Sequence, residues 1–387
     1  MNKVKLAVIG LGNMGSSHCK NVSIMDTAEL TAVCDLEKDK IKKLSSLYNC
    51  REFQSTEELF AAGGFDGIII ATPHYDHTTI SLEAFKLGYH VLTEKPVGVH
   101  VKDINKMISA FEKAKKTKPD LLFSAMFQQR TRGPAIKIKD LLDKGELGKL
   151  IRATWIITDW YRTQTYYNSG GWRATWAGEG GGVLMNQCPH QLDMYQWFFG
   201  SPDRVTAFAS LGKYHNIEVE DEVTAYFEYD NGMVGHFITS TGESPGSNRL
   251  EIVGEQGKLV WENDKITFYR NRVSLLDHLK TSEAGFEKPE CWTCDIPYDS
   301  KGGEHKIIIE NFCSAIRDKE ELIAPASDGI NSIMMDNAIM LSSFEKRTVE
   351  LPIDEEKFEQ KLHNLISNST YTKKVVNATK DDVNKSF

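Results

Sequence analysis

Residues 4–35 constrain this chain more tightly than any other stretch. Val4-Lys5-Leu6-Ala7-Val8-Ile9 is an apolar run of strand length, and it ends in Gly10-Leu11-Gly12-Asn13-Met14-Gly15. A helical stretch from Ser16 to Met25 follows, then a second strand, Glu29-Leu30-Thr31-Ala32-Val33-Cys34, closed by Asp35. The glycine spacing alone would say little. Set between a strand and a helix, with an acidic residue some twenty positions later, it describes a βαβ unit whose first turn receives a pyrophosphate. Gly10 permits the tight turn, Gly12 lets backbone approach the phosphates, and Gly15 lets helix and strand close up. The helix presents its positive N-terminal end to the anion. Gly10, Gly12, Asn13, Met14 and Gly15 are therefore candidate dinucleotide contacts. Asp35 sits where a carboxylate accepts bonds from ribose hydroxyls and repels a 2′-phosphate. No Arg follows it immediately, so the expected cofactor is NAD rather than NADP. Asp35 also stands where it can cap a helix over 36–48, and the two roles are compatible.

The alternation continues. Ser55-Thr56-Glu57-Glu58 opens a short helix as a capping box. Residues 66–72 read as a strand, 76–87 as a helix, 89–93 as a strand, 101–116 as a helix and 121–125 as a last strand. Strands alternating with helices predict a doubly wound parallel sheet, and ligands of such sheets lie beyond the carboxyl ends of the strands. Two further strand ends are thus candidate cofactor contacts: Ala71, Thr72, Pro73, His74 and His77 at one, Glu94 and Lys95 at the other. Gln128, just past the last strand, is placed at the cleft beside them.

After Phe127 the pattern changes. A helix over 134–144 and a strand over 151–158 lead into an aromatic, Arg-bearing loop with Trp160, Tyr161, Arg162, Tyr166, Tyr167, Trp172, Arg173 and Trp176. From 205 to 269 six strands follow one another, with Asp230-Asn231-Gly232 as a hairpin turn. That predicts a second α/β domain with a large, mostly antiparallel open sheet. Helices over 304–318 and 327–346 are expected to cover it or to return to the first domain. The expected organisation is a Rossmann domain over 1–126, a substrate-binding and oligomerisation domain over 127–355, and a polar tail over 356–387 whose last dozen residues are disordered. One face of so large a sheet needs hiding, which predicts a homo-oligomer, a dimer or tetramer.

Between these parts lies GGGVLMNQCPHQLDMYQWFFG, residues 180–200. It reads as a buried helix interrupted by Asn186, His190 and Asp193. A buried polar group without a partner costs about 1–3 kcal/mol, so these residues need partners or a ligand. Pro189 is best tolerated in a first turn, so the helix either begins near Gln187 or kinks there, and the three polar groups then face one side.

The formal charge of −8 and the lack of a basic, aromatic-interleaved cluster exclude nucleic acid as a natural partner. No apolar stretch approaches the ~20 residues of a membrane span, and the N-terminus lacks the long apolar run of a signal peptide. The reading is a cytoplasmic protein with no membrane partner. Seven cysteines, an odd number, scattered through the chain, suit reduced thiols. The single Cys291-Trp292-Thr293-Cys294 motif has no second pair with which to hold zinc, so no metal site is expected.

Taken together, GLGNMG, ATPHYDH, EKP and GGWRATWAGEGGG followed by NQCPHQLD resemble the glucose–fructose oxidoreductase / inositol dehydrogenase / MocA family over residues 3 to 350. The resemblance implies a hydride transfer between NAD and a secondary hydroxyl or ketone of a carbohydrate or cyclitol. It also implies that Lys95 is the catalytic lysine and His190 its partner across the substrate. Many members carry Asp where this chain has Asn186. An amide can orient a hydroxyl but cannot take its proton, so base work falls on Lys95 and His190.

The chemistry has independent support. A base for alcohol oxidation needs a pKa near working pH. A cationic nicotinamide ~5 Å away, at an effective dielectric of ~20, would lower the lysine by about 3 kcal/mol, roughly two pKa units. Tyr161, Trp172 and Trp176 can stack on sugar C–H faces, while Arg162, Arg173, Asn186 and Gln187 bond hydroxyls; each aromatic suits the core or an interface equally well. Two alternatives stay open. One is redox-assisted glycoside cleavage, in which NAD is recycled; the other is a non-catalytic NAD sensor.

Overall fold

A computed structural model describes residues 3–299 and 302–376. Six strands make the first sheet: β1 (Val4–Ile9), β2 (Ala28–Cys34), β3 (Arg51–Phe53), β4 (Gly67–Ile70), β5 (His90–Thr93) and β6 (Phe123–Ala125), in the order 3-2-1-4-5-6 and all parallel. β4 and β5 are buried throughout and β1 at every position but Lys5, which is why they read as predominantly apolar runs. β3 was not expected: three residues, two of them exposed, give no periodicity to read. The Ser55 half of the capping box forms, its side chain accepting Glu58 N–H at 3.2 Å, while the Glu58 carboxylate accepts Gln54 N–H at 3.3 Å rather than that of Ser55.

The second sheet has nine strands. They are β7 (Leu150–Ile157), β8 (Arg204–Leu211), β9 (Glu220–Glu228), β10 (Val234–Ser240), β11 (Asn248–Gly254), β12 (Gly257–Glu262), β13 (Lys265–Asn271), β14 (Cys291–Ile296) and β15 (Val349–Glu350). The order is 14-13-12-11-7-10-9-8-15. All neighbours are antiparallel except β7 and β10, which run parallel. Helices Pro189–Phe199 and Gly329–Glu345 pack on one face. The other face stays open and carries Phe208, 73% exposed.

Both C-terminal helices foreseen in the sequence form. His305–Asp318 returns to the first sheet, packing on β1 and β5, while Gly329–Glu345 lies between β8 and the helix Val101–Lys115. The stretch read as a polar tail departs from that reading. Glu355–Ser367 is a helix capped by Asp354, with Phe358 and Leu362 buried on one face. Residues 369–376 then run as a strap along the aromatic loop: Tyr371 Oη donates to Asn216 O at 2.9 Å, and Val376 N–H to Asn168 O at 2.9 Å. The expectation for the last dozen residues falls almost wholly outside the described residues. Cys291 and Cys294 lie three apart on an edge strand, so their side chains point to opposite faces, and both thiols are free. Among the described residues no helix is long and apolar enough to cross a membrane.

Candidate active site

The glycine turn has the shape its spacing predicts. Gly10 has φ +86°, and a Cβ there would stand 2.6 Å from Ala71 O. A Cβ on Gly15 would stand 1.7 Å from Gly10 O, whereas one on Gly12 would meet nothing within 4 Å. Gly15 is therefore demanded by packing and Gly12 is not. Asn13 and Met14 open the helix Asn13–Ser23 behind the turn. Asp35 accepts Leu11 N–H at 2.5 Å and Glu37 N–H at 2.9 Å, which fixes the turn and leads into the next helix. Its carboxylate has further lone pairs for ribose hydroxyls. These residues fit a dinucleotide: the space over Gly12 is where its phosphates would lie against backbone. Gly12→Ala is expected to melt like the wild-type apoprotein and to lose NAD binding at least tenfold by fluorescence titration, whereas Gly15→Ala loses the fold.

At the end of β4, the His77 ring faces Pro96 O at 2.8 Å and Thr72 O at 3.0 Å. Burial lowers its pKa, so the neutral ring donates to one of these carbonyls and packs against the other; both nitrogens face the chain rather than a cofactor. His74 Nδ1 lies 2.9 Å from Glu179 O, and its ring meets the edge of Trp172. At the end of β5, Glu94 is held between His18 Nε2, 2.7 Å, and its neighbour's backbone, Lys95 N–H at 3.1 Å. Burial pushes this carboxyl up, but the bond and charge of His18, with His305 and Lys95, together outweigh it and bring the pKa down to about 2.

Lys95 then reaches across to the second lobe. Its Nζ donates to Asn186 O at 2.9 Å. Burial pushes its pKa below the ordinary lysine value, with Glu94 opposing. Asn186 lies in a wide π-helical turn, Val183–Gln187, closed by Cys188 N–H on Val183 O at 2.8 Å; such turns recur at functional sites. The helix proper starts at Pro189, in its first position. Below the turn, Glu220 accepts Gly182 N–H at 2.8 Å and Leu184 N–H at 3.0 Å, and burial pushes its carboxyl up to about 7.

One turn on, His190 Nε2 lies 3.2 Å from Gln128 Nε2. Burial, with Lys95 adding to it, drives the imidazole well below its usual pKa, so it is neutral at pH 7. Thr72 Oγ1, Gln128 Oε1, Gln187 Oε1 and His190 Nδ1 are all buried without a hydrogen-bond partner. A ligand rich in hydroxyls would satisfy them.

Asp193 does not serve this site. It bonds neither His190 nor backbone but pairs with Arg130, Nε to Oδ2 at 2.8 Å and Nη2 to Oδ1 at 2.6 Å, and Arg130 Nη1 reaches Asp328 at 2.9 Å. Leu192, Tyr195 and Phe198 anchor the helix in the core, each contributing about 1.5–3 kcal/mol of apolar burial.

The aromatic loop divides. Arg173 stacks on Tyr166 and Trp172, each centroid 4.7 Å away, and donates to Tyr166 Oη at 2.8 Å; Gln187 donates to the same oxygen at 3.0 Å. Arg162 lies over Trp160 and Tyr166, and Tyr161 is half exposed at the rim. Of the two roles open to Trp176, the structure gives it the core: it is buried against Phe344. Sequence reasoning missed two participants. Glu179 is buried, bonds the Asn186 amide, and accepts Ala174 N–H at 2.5 Å; a charge inside a run of glycines was the available signal. Lys373, on the strap, donates to Tyr167 O at 2.6 Å and to Arg173 O. Nothing local in the sequence marks it.

Residues 4–118 match the model of an oxidoreductase family with an NAD-binding Rossmann fold, and 135–260 match the GFO/IDH/MocA C-terminal domain. The chain belongs to the Gfo/Idh/MocA oxidoreductase family. It is an NAD-dependent oxidoreductase. A myo-inositol 2-dehydrogenase of Thermotoga maritima is 23% identical, aligned over 90% of this chain and 98% of its own length. A scyllo-inositol 2-dehydrogenase (NAD(+)) of Bacillus subtilis is 24% identical, over 75% of this chain and 84% of its own. Among solved structures, the WlbA dehydrogenase of Chromobacterium violaceum, in complex with NADH and UDP-GlcNAcA, superposes with a TM-score of 0.78 at 26% identity, covering 92% of this chain and 97% of that one.

Proposed function

We propose that this Gfo/Idh/MocA protein interconverts a secondary hydroxyl and a ketone on a sugar, sugar derivative or cyclitol, with Lys95 as the proton-transfer group and His190 and Asn186 beside it. The observation that carries the proposal is Lys95 Nζ, from the coenzyme lobe, bonded at 2.9 Å to the Asn186 backbone in the turn that leads to His190. Bound NAD supplies the hydride acceptor or donor. In the oxidising direction neutral Lys95 takes the hydroxyl proton, which is why its lowered pKa matters. His190 is neutral and accepts from the Gln128 amide at Nε2, so its unpartnered Nδ1–H is left to donate to a substrate oxygen. Gln128 and Gln187 offer free carbonyl oxygens to other hydroxyls. Arg173 and Trp172 form the wall, with Tyr161 and Arg162 at the rim. Relatives named for inositols, and the structural neighbour holding a UDP-sugar acid, support a polyhydroxylated substrate.

The protein is further proposed to be cytoplasmic and to pair through the open face of the nine-stranded sheet, where Phe208 stands exposed; a monomer by light scattering removes the pairing. The test of function is a panel of inositols, hexoses, uronic acids and glycosides with NAD, and of keto-sugars with NADH, read at the absorbance of reduced nicotinamide. Turnover is expected with at least one class. No turnover with any of them, in either direction, sinks the reading. Glycoside cleavage with no net NAD reduction selects redox-assisted cleavage instead.

A further inference from the structure

We infer that Glu179 is a positioning residue of this site, fixing which end of the Asn186 amide faces the pocket and supplying the negative charge next to Lys95. The inference rests on the proposed hydride-transfer reading and deepens it. Glu179 is 1% exposed, on the glycine-rich approach to the π-helical turn. One carboxylate oxygen accepts from Asn186 Nδ2 and the other from Ala174 N–H. Burial pushes the Glu179 carboxyl up, while Arg173, the Ala174 N–H, the Asn186 amide and Lys373 all favour its ionised form, and two donors on two oxygens match a carboxylate. Because an ionised carboxylate only accepts, Asn186 must turn Nδ2 toward it. That leaves Asn186 Oδ1, which no donor among the described residues reaches, as the end available to a substrate hydroxyl. The Glu179 carbonyl is held as well, 2.9 Å from His74 Nδ1.

The same carboxylate and the lysine both bond Asn186, Glu179 at its amide and Lys95 at its carbonyl, and the carboxylate acts on the lysine's charge. The charged and titratable groups around Lys95 are Glu94 at the end of β5, His74 at the end of β4, Arg162, Arg173 and Glu179 from the loop, Cys188 and His190 from the second lobe, and His305. Glu94 is engaged by His18. Glu94 is the stronger of the two anions acting on Lys95, but Glu179 is the one that also holds the Asn186 amide, so its removal changes both the amide and the charge balance with the two arginines.

Hydrogen-bond polarity sets the test. In Glu179→Gln the Gln oxygen keeps Ala174 N–H, and its NH2 group meets the Asn186 NH2 group. Asn186 must flip and present a donor to the pocket. Asn186→Asp alone sets two carboxylates against each other. The double variant, E179Q with N186D, restores a donor–acceptor pair and one negative charge. Each single variant is expected to lose about tenfold to a hundredfold in kcat for oxidation, part of the 10²–10⁴ a positioned base contributes, and the double variant to recover most of it.

A second readout needs neither cofactor nor substrate. The ¹³Cε NMR signal of Lys95 in the apoprotein, assigned by its loss in Lys95→Met, should titrate roughly one to two pH units lower in E179Q and return in the double variant. A titration unmoved in E179Q, or a double variant no better than the worse single, overturns the inference. If E179Q does not fold, the folded double variant and N186D decide it on the same terms. If the titration moves as expected while wild type turns over no polyol, the coupling stands and hydride transfer falls.

Discussion

Lys95→Met is expected to lose about a thousandfold in kcat for hydroxyl oxidation while still binding NAD. The size follows from the 10²–10⁴ that one positioned acid–base group contributes, and from the absence of a rival base: His190 is neutral but bonded toward Gln128, and Asn186 is an amide. Retained binding follows because the glycine turn and Asp35 hold their geometry without the lysine. The stability effect has the opposite sign. The folded chain binds the Lys95 proton less tightly than the unfolded chain does. Stability at this site is therefore lost as pH falls from the ordinary lysine value through the lowered one. Met removes that penalty and gives up only the bond to Asn186 O. The melting temperature at pH 7 is expected to hold or rise, as when a strained functional group is removed. Steady-state kinetics, NAD titration and thermal melts on one preparation separate the three effects. Activity within threefold of wild type would end the assignment.

Arg130→Met carries the largest expected loss of stability. The guanidinium is buried, bonds Asp193 with two nitrogens and Asp328 with the third, and lies over the rings of Phe127 and Trp197. Its removal leaves Asp193, 1% exposed, with no countercharge. An uncompensated buried charge costs about 3–5 kcal/mol, or roughly 10 °C in melting temperature for a protein of this size. Arg130→Met with Asp193→Leu is expected to recover most of that, since a buried ion pair exchanges for packed apolar residues at little net cost. Denaturant unfolding of both variants checks the pair. Because Arg130 joins the turn carrying Gln128 to the helix carrying His190, the single variant should also weaken activity beyond its effect on stability.

These two residues show where the sequence could be read and where it could not. The coenzyme lobe was legible because its determinants are local. A strand, its glycines, the helix and Asp35 all fall within 35 residues, and each strand buried on both faces announces itself as an apolar run. Lys95 and His190 were legible as positions because each sits in a distinctive local setting. Asp193 was not legible as an ion-pair partner, since Arg130 lies 63 residues away. The same holds for Glu179, whose role depends on Asn186 and Ala174, and for Lys373, about 200 residues from the carbonyls it holds. The helix Glu355–Ser367 shows only two buried apolar residues on a charged background, so its composition read as a tail. Trp176 illustrates the converse: an aromatic in a loop looks the same in sequence whether it faces a sugar or Phe344.

The single parallel contact in the large sheet has a kinetic consequence. β7 pairs with β10 on one side and β11 on the other, strands that lie roughly 80 to 100 residues downstream. No hairpin can bring β7 into place, so the two meanders must form first and then capture it between them. Loop-closure entropy of this kind slows folding. The segment tied off when β7 docks, residues 158–203, carries the aromatic loop, Glu179, Asn186 and His190. A refolding chain should therefore regain its coenzyme lobe, Lys95 included, early, and Glu179, Asn186 and His190 only in the slowest phase.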